Sequence, residues 1–385
     1  MWNSEEAMSV KPLVALDIGS TKVACAVGLP HERSAGFELL GSSVVAYPTR
    51  SESWLSDPLM VGQTIEQALE ATAVSQDLHA ATVAITHPLL ASERARVTAH
   101  LADEPLTVRA QDLERLRQSA VDQTLAIDRD PLLVERLGCA GNGFDGVRDP
   151  RGLSATRLAG TFLILTIPLA ARRALIQAVG SAGLEVARLT YTLPAALASV
   201  EDDELAQKRV LMLDVGGLST DVGLFVEGVL HALEVVPFGG MKLAAVIASD
   251  RQVTVEQAVA WSLEGTACRK PEGRAMIEQQ WGLLQQAIAR VLKDQPRPDA
   301  VLLCGRGALI DGFAEWTERV TSTKASLCRS ARTNRLKDLT RQLSLSVPIG
   351  LLELATRSSN GPAPRPGYFI NRLIERTRTI LTEYF

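Results

Sequence analysis

One short device is written twice in this chain, and it constrains the fold more than any other feature. Leu13-Val-Ala-Leu-Asp17-Ile-Gly19-Ser20-Thr21-Lys22 returns in the second half as Val210-Leu-Met-Leu-Asp214-Val-Gly216-Gly217-Leu218-Ser219-Thr220-Asp221. In each copy an aliphatic run of buried-strand type ends in an aspartate, a glycine and hydroxyl turn follows, and a second apolar strand returns over residues 23–28 or 222–226. A single turn of this kind fits any hairpin. Two of them, at matching places in the halves of a 385-residue chain, predict two related domains with a phosphate held between them.

The residue types suit that task. Glycine lets main-chain N–H groups come close to a ligand, and successive turn amides form a concavity for anions. The hydroxyls of Ser20, Thr21, Ser219 and Thr220 add donors, and Lys22 can reach a phosphate as a point charge. Asp17 and Asp214 would repel a phosphate, so their expected role is to hold Mg²⁺ through water. Neither a Gly-x-x-x-x-Gly-Lys-Ser/Thr loop nor a Gly-x-Gly-x-x-Gly turn between strand and helix occurs, so the two common single-loop phosphate cradles are absent.

Composition narrows the class. A chain of this length is too long for one ordinary core, and 46% hydrophobic with 22% charged residues is the balance of a soluble globular protein. The net charge of −4 gives no general drive toward nucleic acid. Five scattered cysteines, Cys25, Cys139, Cys268, Cys304 and Cys328, make neither a disulfide framework nor a Cys-x-x-Cys metal site and fit a reducing cytosol. The five histidines form no pair at ligand spacing. The first nine residues read as no signal peptide, and the longest apolar run, residues 158–171 with Pro168 inside, reads as a core strand.

Along the chain, residues 37–45 read as a third strand, 59–73 as a helix and 81–86 as a short buried strand. The second half repeats the order, with a strand at 229–237 and a helix at 241–249 behind the turn at Gly239-Gly240. Between the halves, residues 87–160 differ in composition and read as an inserted subdomain, with a charged helix at 110–124, a strand at 132–137 and a Gly/Asp-rich turn region at 141–152. The first domain is expected to resume with a strand at 161–166 and a helix at 169–181 ended by Gly183. Residues 262–295 read as a helical satellite of the second domain. Residues 301–307 read as a buried strand running into a third glycine turn, Gly305-Arg306-Gly307.

The end of the chain has a different pattern. Residues 357–366 read as a partly extended linker rich in proline and glycine. Beyond it Phe369, Ile370, Leu373, Ile374, Ile380, Leu381, Tyr384 and Phe385 recur at helical spacing as one apolar stripe. The opposite face carries Arg372, Arg376 and Arg378 beside Glu375 and Glu383. A large apolar stripe with a basic face beyond a linker is the pattern of an interfacial membrane anchor.

Two phosphate turns, a third glycine turn after a late strand, and a linker with a terminal amphipathic helix together resemble the FtsA family of bacterial division proteins. The likeness runs from about Leu13 to Phe385. Residues 16–28, residues 149–158 (Asp-Pro-Arg-Gly-Leu-Ser-Ala-Thr-Arg-Leu) and residues 236–240 (Val-Pro-Phe-Gly-Gly) are similar to FtsA in particular. The resemblance implies an α/β, actin-like ATPase fold of two duplicated RNase H-like domains, each with an extra subdomain, plus a terminal amphipathic helix. It implies a first domain over residues 1–86 and 161–204, and an inserted subdomain over 87–160. A second domain follows over 205–345 with its own subdomain near 245–298, and the chain then returns to the first domain over 346–357. The linker spans 358–366 and the membrane helix 367–385.

The same resemblance implies ATP with Mg²⁺ as ligand, self-assembly into filaments, and contact with other division proteins. It also implies attachment of FtsZ to the anionic cytoplasmic face of the inner membrane at the division site, as a peripheral membrane protein. Asp17, Gly19, Ser20, Thr21, Lys22, Asp214, Gly216, Gly217, Ser219, Thr220, Gly239, Gly240, Gly305, Arg306 and Gly307 would line the nucleotide, with Asp17 and Asp214 on the metal side. Departures temper the activity. Leu218 stands where the second turn of the family usually has a third glycine, and is expected to crowd the phosphate. Arg306 interrupts a glycine pair, and Val259 stands where a lysine is usual near Glu256. Residues 193–196 hold no catalytic acid. Hydrolysis is therefore expected to be slow or absent. The alternatives are a pilus-assembly protein of the PilM type, which lacks such a tail, and a sugar or acid kinase of the same superfamily, which would need a general base in the cleft.

Overall fold

The computed structural model describes residues 11–358 apart from residues 32, 33, 35, 49–53, 203 and 264–270. The terminal helix and all but the start of the preceding linker lie outside the described residues.

The first domain opens with β1 (Leu13–Ile18), β2 (Lys22–Pro30) and β3 (Phe37–Ala46), followed by α1 (Pro58–Glu70) and β4 (Ala80–Ile85). The inserted segment supplies β5 (Ala91–His100), β6 (Leu106–Thr107), α2 (Ala110–Thr124), β7 (Arg129–Gly141), β8 (Phe144–Val147), β9 (Ser154–Ala155) and β10 (Arg157–Pro168). The first domain resumes with α3 (Leu169–Ser181), β11 (Glu185–Tyr191) and α4 (Thr192–Ser199). The second domain comprises β12 (Arg209–Val215), β13 (Thr220–Val226), β14 (Val229–Val236), α5 (Gly240–Arg251), α6 (Val255–Leu263), α7 (Pro271–Val291), β15 (Ala300–Cys304), α8 (Phe313–Thr321), β16 (Ala325–Leu327) and α9 (Leu339–Ser358).

The duplication read from the sequence is a duplication of sheets. The first sheet runs β3-β2-β1-β4-β11 and the second β14-β13-β12-β15-β16. In both, the first two strands are an antiparallel hairpin, and the first strand then pairs in parallel with the strand that follows the crossover. β1 and β12 are central and covered on both faces, which is why their sequences are continuous aliphatic runs rather than alternating ones. Val14, Ala15 and Leu16 are buried, as are Val210, Leu211, Met212 and Leu213. Each aspartate is the last residue but one of its strand, and a buried aliphatic, Ile18 or Val215, follows it before the turn.

Local signals fix several helix ends. Asp57 caps α1, its side chain accepting from the Met60 N–H at 3.0 Å, and Pro58 occupies the first helical position, where no amide is needed. α3 ends where Gly183 takes φ +77°.

The inserted subdomain ends later than the composition suggests. Residues 161–166, expected to be the first domain's returning strand, lie inside β10, which pairs antiparallel with β5 and β7 in a four-stranded sheet. The strand that rejoins the first sheet is β11, parallel to β4. The apolar run is continuous because β10 is buried on both sides. Phe162 and Ile164 join the subdomain core with Leu113 and Leu116 of α2, while Leu163, Leu165 and Ile167 join the first domain's core. A strand buried on both faces does not reveal from its sequence which sheet owns it. The turn region at 141–152 likewise contains a short strand, β8, paired with β7.

The last helix closes the molecule. α9, the end of the second domain by chain order, lies on β1, β2 and β3 of the first sheet and crosses α4. Its Leu345, Val347, Ile349, Leu351 and Leu352 belong to the first domain's core. At the crossing, a Cβ on Gly350 would lie 1.7 Å from the Ala195 carbonyl oxygen, so the two helices touch backbone to backbone. α9 therefore carries the chain back onto the first domain, its core contacts running from Leu345 to Leu352.

Candidate functional site: a cleft between the two domains

The two strands that carry Asp17 and Asp214 point their turns at one another. In the first turn the Gly19 N–H donates to the Lys22 carbonyl at 3.0 Å, and in the second the Gly216 N–H donates to Ser219 at 3.0 Å. These bonds close the hairpins. Among the described residues, none engages the tip amides of Ser20, Thr21, Gly217 and Leu218 as donors. The tips meet directly, since a Cβ on Gly217 would strike the Thr21 methyl group. That contact explains glycine at 217 in steric terms.

The second turn is also the seat of α5. The N–H groups of Gly240 and Met241 donate to the carbonyls of Gly216 and Gly217, each at 2.9 Å. A Cβ on Gly239 would lie 2.5 Å from the Gly217 carbonyl oxygen, so that approach requires glycine. Thr220 is turned away from the cleft, its hydroxyl donating to the Phe238 carbonyl at 2.7 Å. It fixes the turn rather than facing a ligand. The third turn follows β15, with Gly305 at φ +72° pressed against the end of β12.

Around these three turns lies a cleft of about 1200 Å³ including its open mouth. Asp17, Gly19, Ser20, Thr21, Lys22, Asp214, Gly216, Gly217, Ser219, Gly240, Gly305, Arg306 and Gly307 line it, with Thr192 and Ala196 of α4 and Ser344 and Val347 of α9 forming further wall. Of the residues expected at a nucleotide, Thr220 and Gly239 are the two that do not line this space; they hold its rim. Val259 faces the cleft. Leu218 does not crowd it. The residue is 9% exposed and belongs to the apolar core that runs through both domains.

Charge is concentrated on the cleft floor. Lys22 Nζ lies 3.3 Å from Asp17 Oδ2. Burial, the neighbouring Asp221 and then Asp17 push the Asp214 carboxyl up to about 7, against a smaller opposing pull from Lys22. Burial likewise pushes Asp221 to about 6, while hydrogen bonds from Thr86 and Tyr191 hold it down. Thr86 Oγ1 donates to Asp221 Oδ2 at 2.5 Å, and the Tyr191 hydroxyl donates to the same oxygen at 2.7 Å. Asp221 Oδ1 and Thr192 Oγ1 are buried without a hydrogen-bond partner among the described residues. Sequence reasoning assigns Asp221 no task and misses Thr86 and Tyr191. The available signal is a lone carboxylate inside the apolar run of β13.

The donor set fits a nucleotide with its cation better than a metal alone. Among the described residues, no three His, Cys, Asp or Glu side chains stand together as a cage. Mg²⁺ is commonly held by one or two carboxylates together with phosphate and water, and Asp17 with Asp214 supply that number. A dication would relieve the mutual repulsion that raises Asp214.

Comparisons with known proteins agree with this architecture. A family model described as "SHS2 domain inserted in FTSA" matches residues 89–166, the span of the inserted sheet. The cell division protein FtsA of Pseudomonas aeruginosa is 28% identical over 241 residues, covering 60% of this chain and 55% of that protein. FtsA of Escherichia coli K12 is 22% identical over 405 residues, covering 93% of this chain and 94% of that protein. Among solved structures, the PilM-PilN type IV pilus biogenesis complex superposes with a TM-score of 0.67 at 16% identity, over 89% of this chain and 98% of that one. The ethanolamine utilization protein EutJ of Carboxydothermus hydrogenoformans gives 0.51 at 14% identity, over 90% and 91%. The fold is actin-like.

Proposed function

Because the chain belongs to the FtsA family of actin-like cell-division proteins, as a divergent member, we propose that it binds ATP with Mg²⁺ and ties an FtsZ polymer to the cytoplasmic face of the membrane at the division site. One observation carries the nucleotide part: two glycine and hydroxyl turns from duplicated sheets meet tip to tip over a pair of aspartates. The amides of Ser20, Thr21, Gly217 and Leu218, with the hydroxyls of Ser20, Thr21 and Ser219, would hold the phosphates. Gly240 and Gly305–Gly307 would face the adenosine. Asp17 and Asp214 would hold Mg²⁺ through water. The bound cation supplies charge neutralisation for the phosphates; the protein's part is to orient them and bring the two domains together.

Hydrolysis is proposed to be slow or absent. A general base must sit within reach of the attacking water. Asp17 and Asp214 are committed to the metal in this reading, and Asp221 is held by Thr86 and Tyr191. Nucleotide then serves as a ligand that sets domain closure and polymerisation. The inserted subdomain carries none of the phosphate chemistry and is proposed as a surface for self-assembly or for other division proteins.

The membrane part rests on the stripe from Phe369 to Phe385. Among the described residues no helix is long and apolar enough to cross a membrane. An interfacial helix anchors weakly by itself, and a polymer multiplies the anchors. A PilM-type role shares the fold, but the matched family model and the terminal stripe favour the FtsA reading.

Calorimetric titration of the full chain checks the nucleotide site. ATP should bind in Mg²⁺, and Asp214→Asn should weaken the Mg²⁺-dependent affinity by roughly tenfold or more, the scale of a lost charge-assisted contact. Absence of ATP binding at every Mg²⁺ concentration would overturn the reading.

A further inference from the structure

A pair of thiols stands where β15 and β16 end. The two strands run parallel with Leu303 opposite Leu327, and the Cys328 N–H donates to the Leu303 carbonyl at 2.8 Å, so the ladder continues one residue past β16. That register sets Cys328 opposite Cys304. Side chains alternate between the faces of a strand. Leu303 and Leu327 face the second domain's core, whereas Cys304 and Cys328 both join the core that runs through the two domains. Neighbouring strands lie about 4.8 Å apart, inside the roughly 4.4–6.8 Å that a disulfide needs between its Cα atoms. The two thiols are already in hydrogen-bonding contact.

Their surroundings give the two sulfurs different roles. Cys304 lines the cleft, opposite Asp214 in the sheet and next to Gly305 in the third turn. Cys328 is fully buried behind it, and its Sγ donates to the Ala196 carbonyl of α4 at 3.2 Å. The Ser346 hydroxyl of α9 donates to the Cys328 carbonyl at 2.7 Å, so both cleft-lining helices hold the second cysteine in place. A small oxidant entering the cleft therefore meets Cys304 first. The contact with Cys328 and then burial push the Cys304 thiol well above its ordinary value. A buried, protonated thiol is a poor nucleophile, so reaction follows admission of water and oxidant to the cleft. Cys25 and Cys139 are buried elsewhere, in β2 and β7, and neither lines the cleft.

We infer that Cys304 and Cys328 form an oxidisable dithiol site, which hydrogen peroxide entering the cleft converts to an intramolecular disulfide with Cys304 attacking first. The Cys304 sulfur, as thiolate, attacks the peroxide; an S–O bond forms, the O–O bond breaks, and the departing hydroxide takes up the thiol's proton as water. The Cys328 sulfur then attacks the sulfenic sulfur of Cys304. The S–S bond forms, the S–O bond breaks, and the hydroxide leaves as water with the Cys328 proton. Two thiols have lost two electrons in all, and one peroxide has been reduced to two waters. In the product the Ala196 carbonyl loses its donor, so oxidation loosens the junction between the end of β16 and the cleft wall.

The test treats the full chain, C304S and C328S with hydrogen peroxide, alkylates the remaining thiols in denaturant and maps the peptides by mass, circular dichroism having confirmed that the variants fold. Wild type should yield a Cys304–Cys328 disulfide that dithiothreitol reverses, with Cys25 and Cys139 still alkylated. C328S should accumulate a sulfenic acid at Cys304 that dimedone traps, and C304S should keep Cys328 reduced. A wild-type map in which Cys304 and Cys328 both stay free overturns the inference, as does oxidation of Cys328 in C304S. A second arm rests on the reading of the cleft as a nucleotide site: ATP with Mg²⁺ at about ten times its Kd should slow disulfide formation by roughly tenfold. An unchanged rate in protein that calorimetry shows to be loaded with ATP overturns the route through the cleft. Should ATP not bind at all, the nucleotide reading fails and the peptide map alone still decides the dithiol site.

Discussion

The ligand-free protein should become less stable as the pH rises from about 5 to about 7.5, and Asp214→Asn should remove much of that loss. The cause is the crowded cleft floor, where burial and neighbouring carboxylates raise Asp214 to about 7 and burial raises Asp221 to about 6. In the unfolded chain both would titrate near 4. A carboxyl that holds its proton more tightly when folded stabilises the fold at low pH, and that contribution disappears as the pH climbs through the folded value. A tenfold change in proton affinity is worth about 1.4 kcal/mol, so the loss amounts to a few kcal/mol across this interval. Mg²⁺ with ATP favours the ionised pair, so the stabilisation by ligand should grow over the same range. Melting curves of wild type and Asp214→Asn at both pH values give the comparison. Their difference should move in favour of the variant as the pH rises; a difference that is constant, or that moves the other way, contradicts this electrostatic picture.

Gly350→Ala should destabilise the chain by about 3 kcal/mol or more, the upper range for a forced insertion into a packed interior. Sequence reasoning alone predicts the opposite sign, because alanine in a helix interior is favoured over glycine by about 1 kcal/mol. The structure reverses it, since the added methyl group would lie 1.7 Å from the Ala195 carbonyl oxygen where α9 crosses α4. The only relief is to part the helices. Both of them line the cleft, α4 through Thr192 and Ala196, α9 through Ser344 and Val347. Loss of stability should therefore come with weaker ligand binding. Urea unfolding measures the first effect, and a variant at least as stable as wild type would show that the two backbones are not in contact at the crossing.

These two sites illustrate what the sequence makes legible. The duplicated architecture can be read because β1 and β12 are central strands buried on both faces, which writes an unbroken aliphatic run ending in Asp17 or Asp214. Helices α2 and α3 are legible because their apolar spacing and end signals are local. Ownership of β10 is not legible, because a strand shared between two cores looks the same whichever sheet it joins. Leu218 misleads for a related reason. Residue type signals crowding in a turn, but only the backbone shows that the side chain points into the core. The bonds from Thr86 and Tyr191 to Asp221, and from Arg306 to Thr21, join residues far apart in the chain. No local pattern encodes such a pairing. It emerges only when the two domains are set face to face.

The most direct test of the adaptor role is flotation of FtsZ with anionic vesicles. Mixtures of FtsZ, ATP, Mg²⁺ and the full chain should carry FtsZ to the top of a density gradient. A chain truncated after Pro366 should leave it at the bottom, although its cleft still binds nucleotide. Equal recovery of FtsZ with the full and truncated chains, or none with either, would contradict the proposal that this protein joins a division polymer to the membrane through its terminal stripe.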